Sequence, residues 1–319
     1  MITTSGLTKV YGSFTAVDHL NLTIGAGEMY GFLGPNGAGK TTTLMMILGI
    51  VKPTAGEVKI FGKNMSEDPF GIRRRIGVVA ETQNFYDDMT AWEYLLFFAR
   101  LYEVEKPEPR AQLLLERLNL WQWRDVLLGG FSTGMRRKLG FVRALLPSPQ
   151  ILILDEPVSG LDPFGIVQIR ELLNEEKARG TTILISSHIL SEIERTADRV
   201  GILARGRLII EDCMERIRLT ASSTHRVELE VVDMPEGLLE QLRKLPFVTE
   251  VSLSDQNVIG IDTLGDKEYR TELGRSLAGW GVAVQGLRTV EVSLEEAFIT
   301  LTESYINNNF AVSSGKETT

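Results

Sequence analysis

Eight residues constrain this chain more than any others: Gly34-Pro35-Asn36-Gly37-Ala38-Gly39-Lys40-Thr41 fits the spacing G-x-x-x-x-G-K-[ST]. The run EMYGFL before them reads as a strand, and TTTLMMILGI after them reads as a helix. The segment is therefore predicted to be a strand, a glycine-rich turn and a helix N-terminus. In that arrangement successive backbone N–H groups turn inward around phosphate oxygens, and the helix dipole favours the negative charge. Lys40 is predicted to reach β and γ phosphates and Thr41 to coordinate magnesium, with Gly34, Asn36, Gly37, Ala38, Gly39 and Thr42 completing the phosphate-binding set.

A turn of this kind belongs at the end of a parallel strand, and the sequence supplies companions for that strand. RIGVVAE, QILILDE and TTILISS are short apolar runs separated by helical patterns, the signature of parallel strands joined by helices. Between RIGVVAE and QILILDE, residues 90–146 repeat apolar residues at helical spacing in AWEYLLFFARLY, RAQLLLERLNL and MRRKLGFVRALL, which predicts a helical insertion. Ile151 to Leu154 form an apolar strand that ends in Asp155 and Glu156, where ligands bind beyond the C-terminal ends of parallel strands. Asp155 is predicted to hold the magnesium shell. Glu156 is predicted to orient or deprotonate an attacking water, because phosphoryl transfer depends chiefly on positioning and charge stabilisation.

After about residue 220 the pattern changes. THRVELEV, EGLLEQLRKL, VTEVSLS, NVIGID, KEYRTELGRSLAGW and VAVQGLRTV read as βαββαβ, the split βαβ order of ferredoxin-like domains, followed by a helix through SLEEAFITLTESY. The expected division is 1–220, 221–305 and a flexible tail, 306–319. No metal-ligand cluster or nucleophile constellation is legible after 220, so packing, dimer contact or regulation is expected of that domain.

Composition narrows the setting. The net charge of −8 opposes bulk adsorption to nucleic acid, and no nucleic-acid partner is expected. The basic runs Arg73-Arg74-Arg75 and Arg136-Arg137 read as solvated faces. A single cysteine, Cys213, rules out an internal disulfide and a thiolate cluster and fits a reducing compartment. The longest apolar stretches, such as Leu44 to Leu48, fall short of the ~18 residues of a membrane helix, and MITTSGLTKVYG lacks the features of a secretory signal.

The P-loop and the Asp155-Glu156 strand, together with Phe131-Ser132-Thr133-Gly134-Met135 ahead of a helix, resemble the ATP-binding cassette (ABC) family over roughly residues 1–215. Ser159-Gly160-Leu161-Asp162 is similar to the family's D-loop, His188 to its switch histidine, and Tyr11 to its adenine-stacking aromatic. FSTGM departs from LSGGQ at the first, third and fifth positions, leaving Ser132 and Gly134 as the matching pair. Glu81 stands where the family usually has glutamine, and Gln83 follows two residues later, so either is a candidate for the Q-loop; Glu81 is then a magnesium and nucleotide contact. Phe85, Tyr86 and the apolar face of AWEYLLFFA are read either as a groove for a permease helix or as core.

The resemblance implies an α/β fold with a P-loop nucleotide-binding core, an antiparallel β edge and a helical insertion, beside the small α+β ferredoxin-like domain. It implies an ATPase that uses ATP and magnesium, with Glu156, His188 and Lys40 catalytic. Two such subunits, identical or closely related, would pair head to tail, with Ser132, Gly134 and Asp162 of one closing on the nucleotide of the other. It further implies an exporter-type transporter whose permease is a separate transmembrane subunit, placing the chain at the cytoplasmic face of the membrane as a peripheral subunit. The competing readings are a soluble cassette ATPase and a nucleotide-dependent regulatory module. Working on ribosomes usually takes two cassettes and working on DNA ends a long coiled coil, while a module without turnover would lack Glu156 or His188.

Overall fold

The structure is a computed structural model that describes residues 1–217, 225–255, 257–264 and 269–291. The chain divides into two compact units, Met1–Met214 and Glu215–Thr319.

The first unit is built on a 6-stranded sheet. Four strands, β3 (Met29–Leu33), β6 (Ile76–Val79), β7 (Ile151–Asp155) and β8 (Thr182–Ser187), are those expected from the apolar runs, and they pair in parallel with β9 (Arg199–Ala204). Every residue of β3, β7 and β8 is buried, as expected of parallel strands covered on both faces. β10 (Arg207–Cys213) closes one edge antiparallel, giving the order β10-β9-β3-β8-β7-β6.

A second, antiparallel sheet has the order β2-β1-β4-β5, formed by β1 (Ile2–Tyr11), β2 (Phe14–Ile24), β4 (Ala55–Ile60) and β5 (Lys63–Asn64). Ile2 and Leu7 of β1 and Leu20 and Leu22 of β2 are buried, and they share one core with Tyr30 and Phe32 of β3 and with Leu44 and Ile47 of helix α1 (Lys40–Ile47). The helix that carries Lys40 is thus fixed by apolar residues of both sheets.

The inserted segment is helical as its periodicity predicts. A short α2 (Pro69–Arg73) precedes β6; then come α3 (Ala91–Leu101), α4 (Pro107–Arg117) and α5 (Thr133–Leu145). Thr90 starts α3 with a capping box: its Oγ1 accepts from Glu93 N–H at 3.2 Å, and the Glu93 carboxylate accepts from Thr90 N–H at 2.9 Å. Helices α6 (Pro163–Ala178) and α7 (Leu190–Glu194) flank β8. Among the described residues no helix is long and apolar enough to cross a membrane.

The second unit follows the predicted βαββαβ order: β11 (His225–Val231), a helix at Leu238–Arg243, β12 (Val248–Asp255), β13 (Val258–Thr263), a helix at Arg270–Gly279 and β14 (Val284–Glu291). The sheet order β12-β13-β11-β14 with all neighbours antiparallel is the ferredoxin-like topology. Val227, Leu229 and Val231 alternate into the core, where the helices supply Leu238, Leu242, Leu273 and Leu277 at i, i+4 spacing. The helix expected over SLEEAFITLTESY and the tail after it lie outside the described residues.

One glycine fixes how α5 approaches the parallel sheet. A Cβ on Gly77 of β6 would lie 2.4 Å from the Ala144 carbonyl oxygen of α5, so only glycine permits this contact. Gly77→Val is expected to destabilise the first unit by about 1–3 kcal/mol through overpacking, measured as a lower denaturant midpoint by circular dichroism.

Candidate functional site

In the parallel sheet β8 lies between β3 and β7, so the loops leaving the C-terminal ends of these three neighbours emerge side by side. The glycine-rich turn follows β3, Glu156 follows β7, and His188 follows β8. Chain order alone separates these residues widely; strand order brings them into contact.

Glu156 is the point where they meet. It is only 8% exposed, its Oε1 lies 3.4 Å from Lys40 Nζ, and its Oε2 lies 2.8 Å from His188 Nδ1. A carboxylate this buried needs such partners, because desolvation penalises its charge. Its backbone is left-handed at φ 47°, a conformation that costs a non-glycine residue about 1–3 kcal/mol, and its N–H donates to the Ser186 carbonyl at 3.2 Å. Asp155, one residue earlier, accepts a hydrogen bond from Ser186 Oγ.

Lys40 Nζ also donates to the carbonyls of Gly34 at 2.6 Å and Pro35 at 3.3 Å, which folds the turn back over its own lysine. Gly34 has no room for a side chain, since a Cβ there would lie 2.4 Å from the Leu203 carbonyl oxygen. Gly39 adopts φ 106° and would place a Cβ 2.4 Å from the Ala16 carbonyl oxygen. The start of α1 has no side-chain cap and no acidic residue in its first turn. Its orphan N–H groups and dipole are therefore left for an anion.

These residues line a cleft of about 440 Å³. Asn36, Gly37, Ala38, Gly39, Lys40, Thr41 and Thr42 form its floor, and Glu81, Glu156, Ser159 and His188 face them. The volume falls in the ~300–1,000 Å³ range of small-molecule sites. The donor set fits a nucleoside triphosphate: main-chain N–H groups and an ammonium for the phosphates. Among the described residues no group of three or more His, Cys, Asp or Glu could hold a metal alone. That suits magnesium, which takes one or two carboxylates and completes its shell with phosphate and water.

Two expectations, Tyr11 at the cleft and Arg137 on a solvated face, meet a different arrangement, and the two Q-loop candidates part company. Tyr11 does not line the cleft; Phe14, which pairs with it across the β1–β2 hairpin, does, and Lys9 Nζ sits 4.9 Å from the centre of the Tyr11 ring. Both aromatics are visible in sequence, but only the folded chain shows which of the pair lines the cleft. Of the two Q-loop candidates, Glu81 lines the cleft, whereas Gln83 is packed over Gly140 of α5, its Oε1 3.4 Å from Arg143 Nη2. Arg137 is not on a solvated face. It is 8% exposed, and its guanidinium donates to the Ala80 carbonyl at 2.9 Å and the Ser159 carbonyl at 3.2 Å. Burial pulls its pKa below the ordinary arginine value, against the opposing pull of Glu81, Asp155 and Glu156.

Ser132, Gly134 and Asp162 lie outside the cleft of their own chain. Ser132 is exposed and caps α5, accepting from Met135 N–H at 3.2 Å; Asp162 is exposed and caps α6, accepting from Gly165 N–H at 2.8 Å. A Cβ on Gly134 would lie 3.7 Å from the Gly160 carbonyl oxygen, so the two turns are neighbours.

Comparison with known proteins places this geometry. A family model described as "ABC transporter" matches residues 17–159. The bacitracin transport ATP-binding protein BcrA of Bacillus licheniformis is 49% identical over 66% of this chain and 69% of its own length. The bacitracin transport ATP-binding protein BcrA of Enterococcus faecalis is 34% identical over 93% of this chain and 95% of its own, a similarity that runs through both units. The dimeric, post-hydrolysis structure of the ATP-binding cassette MJ0796 bound to ADP and Pi has a TM-score of 0.62 at 27% identity, covering 67% of this chain and 99% of that one.

The position of the two aromatics yields a direct test. Phe14→Ala is expected to weaken ATP binding about tenfold, within the ~1–3 kcal/mol of base stacking on an aromatic ring, while Tyr11→Ala leaves it near wild type. Calorimetric titration of each variant with ATP measures both.

Proposed function

The chain belongs to the ABC transporter family as an ATP-binding, ATP-hydrolysing subunit, and from that membership we propose that it works as one half of an ATP-gated pair that powers a separately encoded permease. The observation that carries this reading is the contact of Lys40, Glu156 and His188 at the mouth of the phosphate-binding turn.

In this reading the main-chain N–H groups of residues 37–42 and Lys40 bind the triphosphate, and Phe14 stacks on the base. Thr41 and Asp155, with Glu81 near them, would hold magnesium, whose charge neutralises the phosphates when it is bound. Glu156 orients the attacking water and accepts its proton. His188 holds the other carboxylate oxygen of Glu156 at 2.8 Å, which fixes the direction in which Glu156 reaches. Positioning and charge, rather than covalent chemistry, carry the reaction.

Ser132 and Gly134 open a helix with an exposed N-terminus and do not touch their own cleft. They support a role on the nucleotide of a second subunit, with Asp162 and its loop beside them. The dimeric cassette with ADP and Pi is the precedent. ATP then acts as a ligand shared by two half-sites, and its hydrolysis releases them.

The aromatic segment divides between the two roles expected of it. Tyr94 is fully buried, with the Phe85 ring 5.3 Å from its own, so that part is core. Tyr86 and Phe97 are 56% and 42% exposed, edge to face at 5.9 Å, and they supply the surface on which a permease helix docks. That contact holds the subunit at the cytoplasmic face of the membrane. The second unit acts as an accessory domain in packing or regulation. The relatives named for bacitracin transport support a transport role for the whole protein.

Glu156→Gln tests the central assignment. The variant is expected to bind ATP at least as well as wild type, to lose turnover about 10²-fold or more, and to elute as a dimer in ATP on size exclusion. Wild-type turnover would remove Glu156 from the mechanism. Tyr86→Asp is expected to abolish binding to permease-containing vesicles while basal ATPase activity stays near wild type; loss of the folded circular dichroism signal would instead place Tyr86 in the core.

A further inference from the structure

Arg137 is a buried cation that the hydrolytic scheme above does not use. It stands on α5, and its guanidinium ties together two loops that line the cleft. Nη1 donates to the carbonyl of Ala80, the residue before Glu81, and Nε donates to the carbonyl of Ser159, which lines the cleft. An arginine has five N–H donors in a rigid fork, a geometry that joins two acceptors from different segments in a way a lysine does not reproduce.

Its charge matters as much as its fork. Glu81, Asp155 and Glu156 all act on it through space, and Glu81 acts most strongly. Asp155 and Glu156 are 7% and 8% exposed, so their negative charges are poorly screened by water. Lys40 and His188 are held on Glu156, while buried Asp155 and the exposed Glu81 add further negative charge around Arg137. A site with this many carboxylates repels a polyanion unless buried positive charge offsets them.

We propose that Arg137 is a positioning residue for ATP hydrolysis, bridging the Ala80 and Ser159 carbonyls to hold Glu81 in place and lending the charge that lets Glu81, Asp155 and Glu156 share a cleft with a triphosphate. This rests on the ATPase reading above. It assigns α5 a second function, since the helix opened by Ser132 toward a partner's nucleotide also balances the charge of its own. It also ties the glutamate at position 81 to α5, because the carbonyl of its neighbour Ala80 is held by the same arginine.

The two parts of the role separate in the full-length chain. Arg137→Lys keeps the charge and loses the fork; Arg137→Gln loses the charge. The kcat for ATP is expected to fall about tenfold in both variants, the scale of one lost transition-state interaction. Affinity for ATP measured without magnesium is expected to fall about tenfold in Arg137→Gln and to remain near wild type in Arg137→Lys. Adding Glu81→Gln to Arg137→Gln is expected to restore that affinity, because the unbalanced carboxylate is gone. Glu81→Gln alone is expected to tighten magnesium-free ATP binding, which keeps the test open if Arg137→Gln does not fold. Equal ATP affinity in wild type and Arg137→Gln, multiplicative rather than compensating losses in the double variant, or no tightening in Glu81→Gln would each overturn the charge role. Wild-type kcat in Arg137→Lys would overturn the bridging role. Inactive wild-type protein, by contrast, would strike at the ATPase reading itself.

Discussion

Glu156 is a carboxylate removed from water, and a buried carboxylate has to be held from more than one side. The arrangement of the first unit follows from that requirement. Lys40 reaches it from the helix after β3 and His188 from the end of β8, and both arrive because β8 is threaded between β3 and β7. The apolar cores on either side fix the strands, and the strands fix the distances. The left-handed backbone at Glu156 shows that packing and hydrogen bonds over-determine this position enough to hold a conformation that an isolated glutamate would leave.

Much of this was legible in the chain because its signals are local. The P-loop spacing fixes a strand, a turn and a helix within a short stretch, and the apolar run ending in Asp155 and Glu156 announces a buried parallel strand. The βαββαβ order of the second unit is likewise a matter of local periodicity, and it predicts a sheet order that places the first and third strands side by side.

What could not be read depends on contacts between distant segments. Tyr11 and Phe14 are equivalent as aromatic residues paired across a hairpin, and only the folded chain shows that Phe14 lines the cleft. Glu81 and Gln83 differ by two positions on one loop, but Gln83 is drawn away by a glycine on α5 that leaves space for it. Arg136 and Arg137 look alike in a basic run. A helix turns neighbours about 100° apart, so Arg136 meets Asp87 at the surface while Arg137 enters the interior. A charge run reveals its composition and not which of its members faces inward.

The last strand of the first sheet, β10, ends at Cys213, half-buried and one residue before the first compact unit ends at Met214. It is the only thiol in the chain. Nature has thereby left a single chemical handle beside the junction of the two units, and a nitroxide or fluorophore attached there reports from one defined position without prior removal of other cysteines. In a pair of identical subunits the same label occurs twice, so one spin–spin distance follows the approach and separation of the two copies through the ATP cycle.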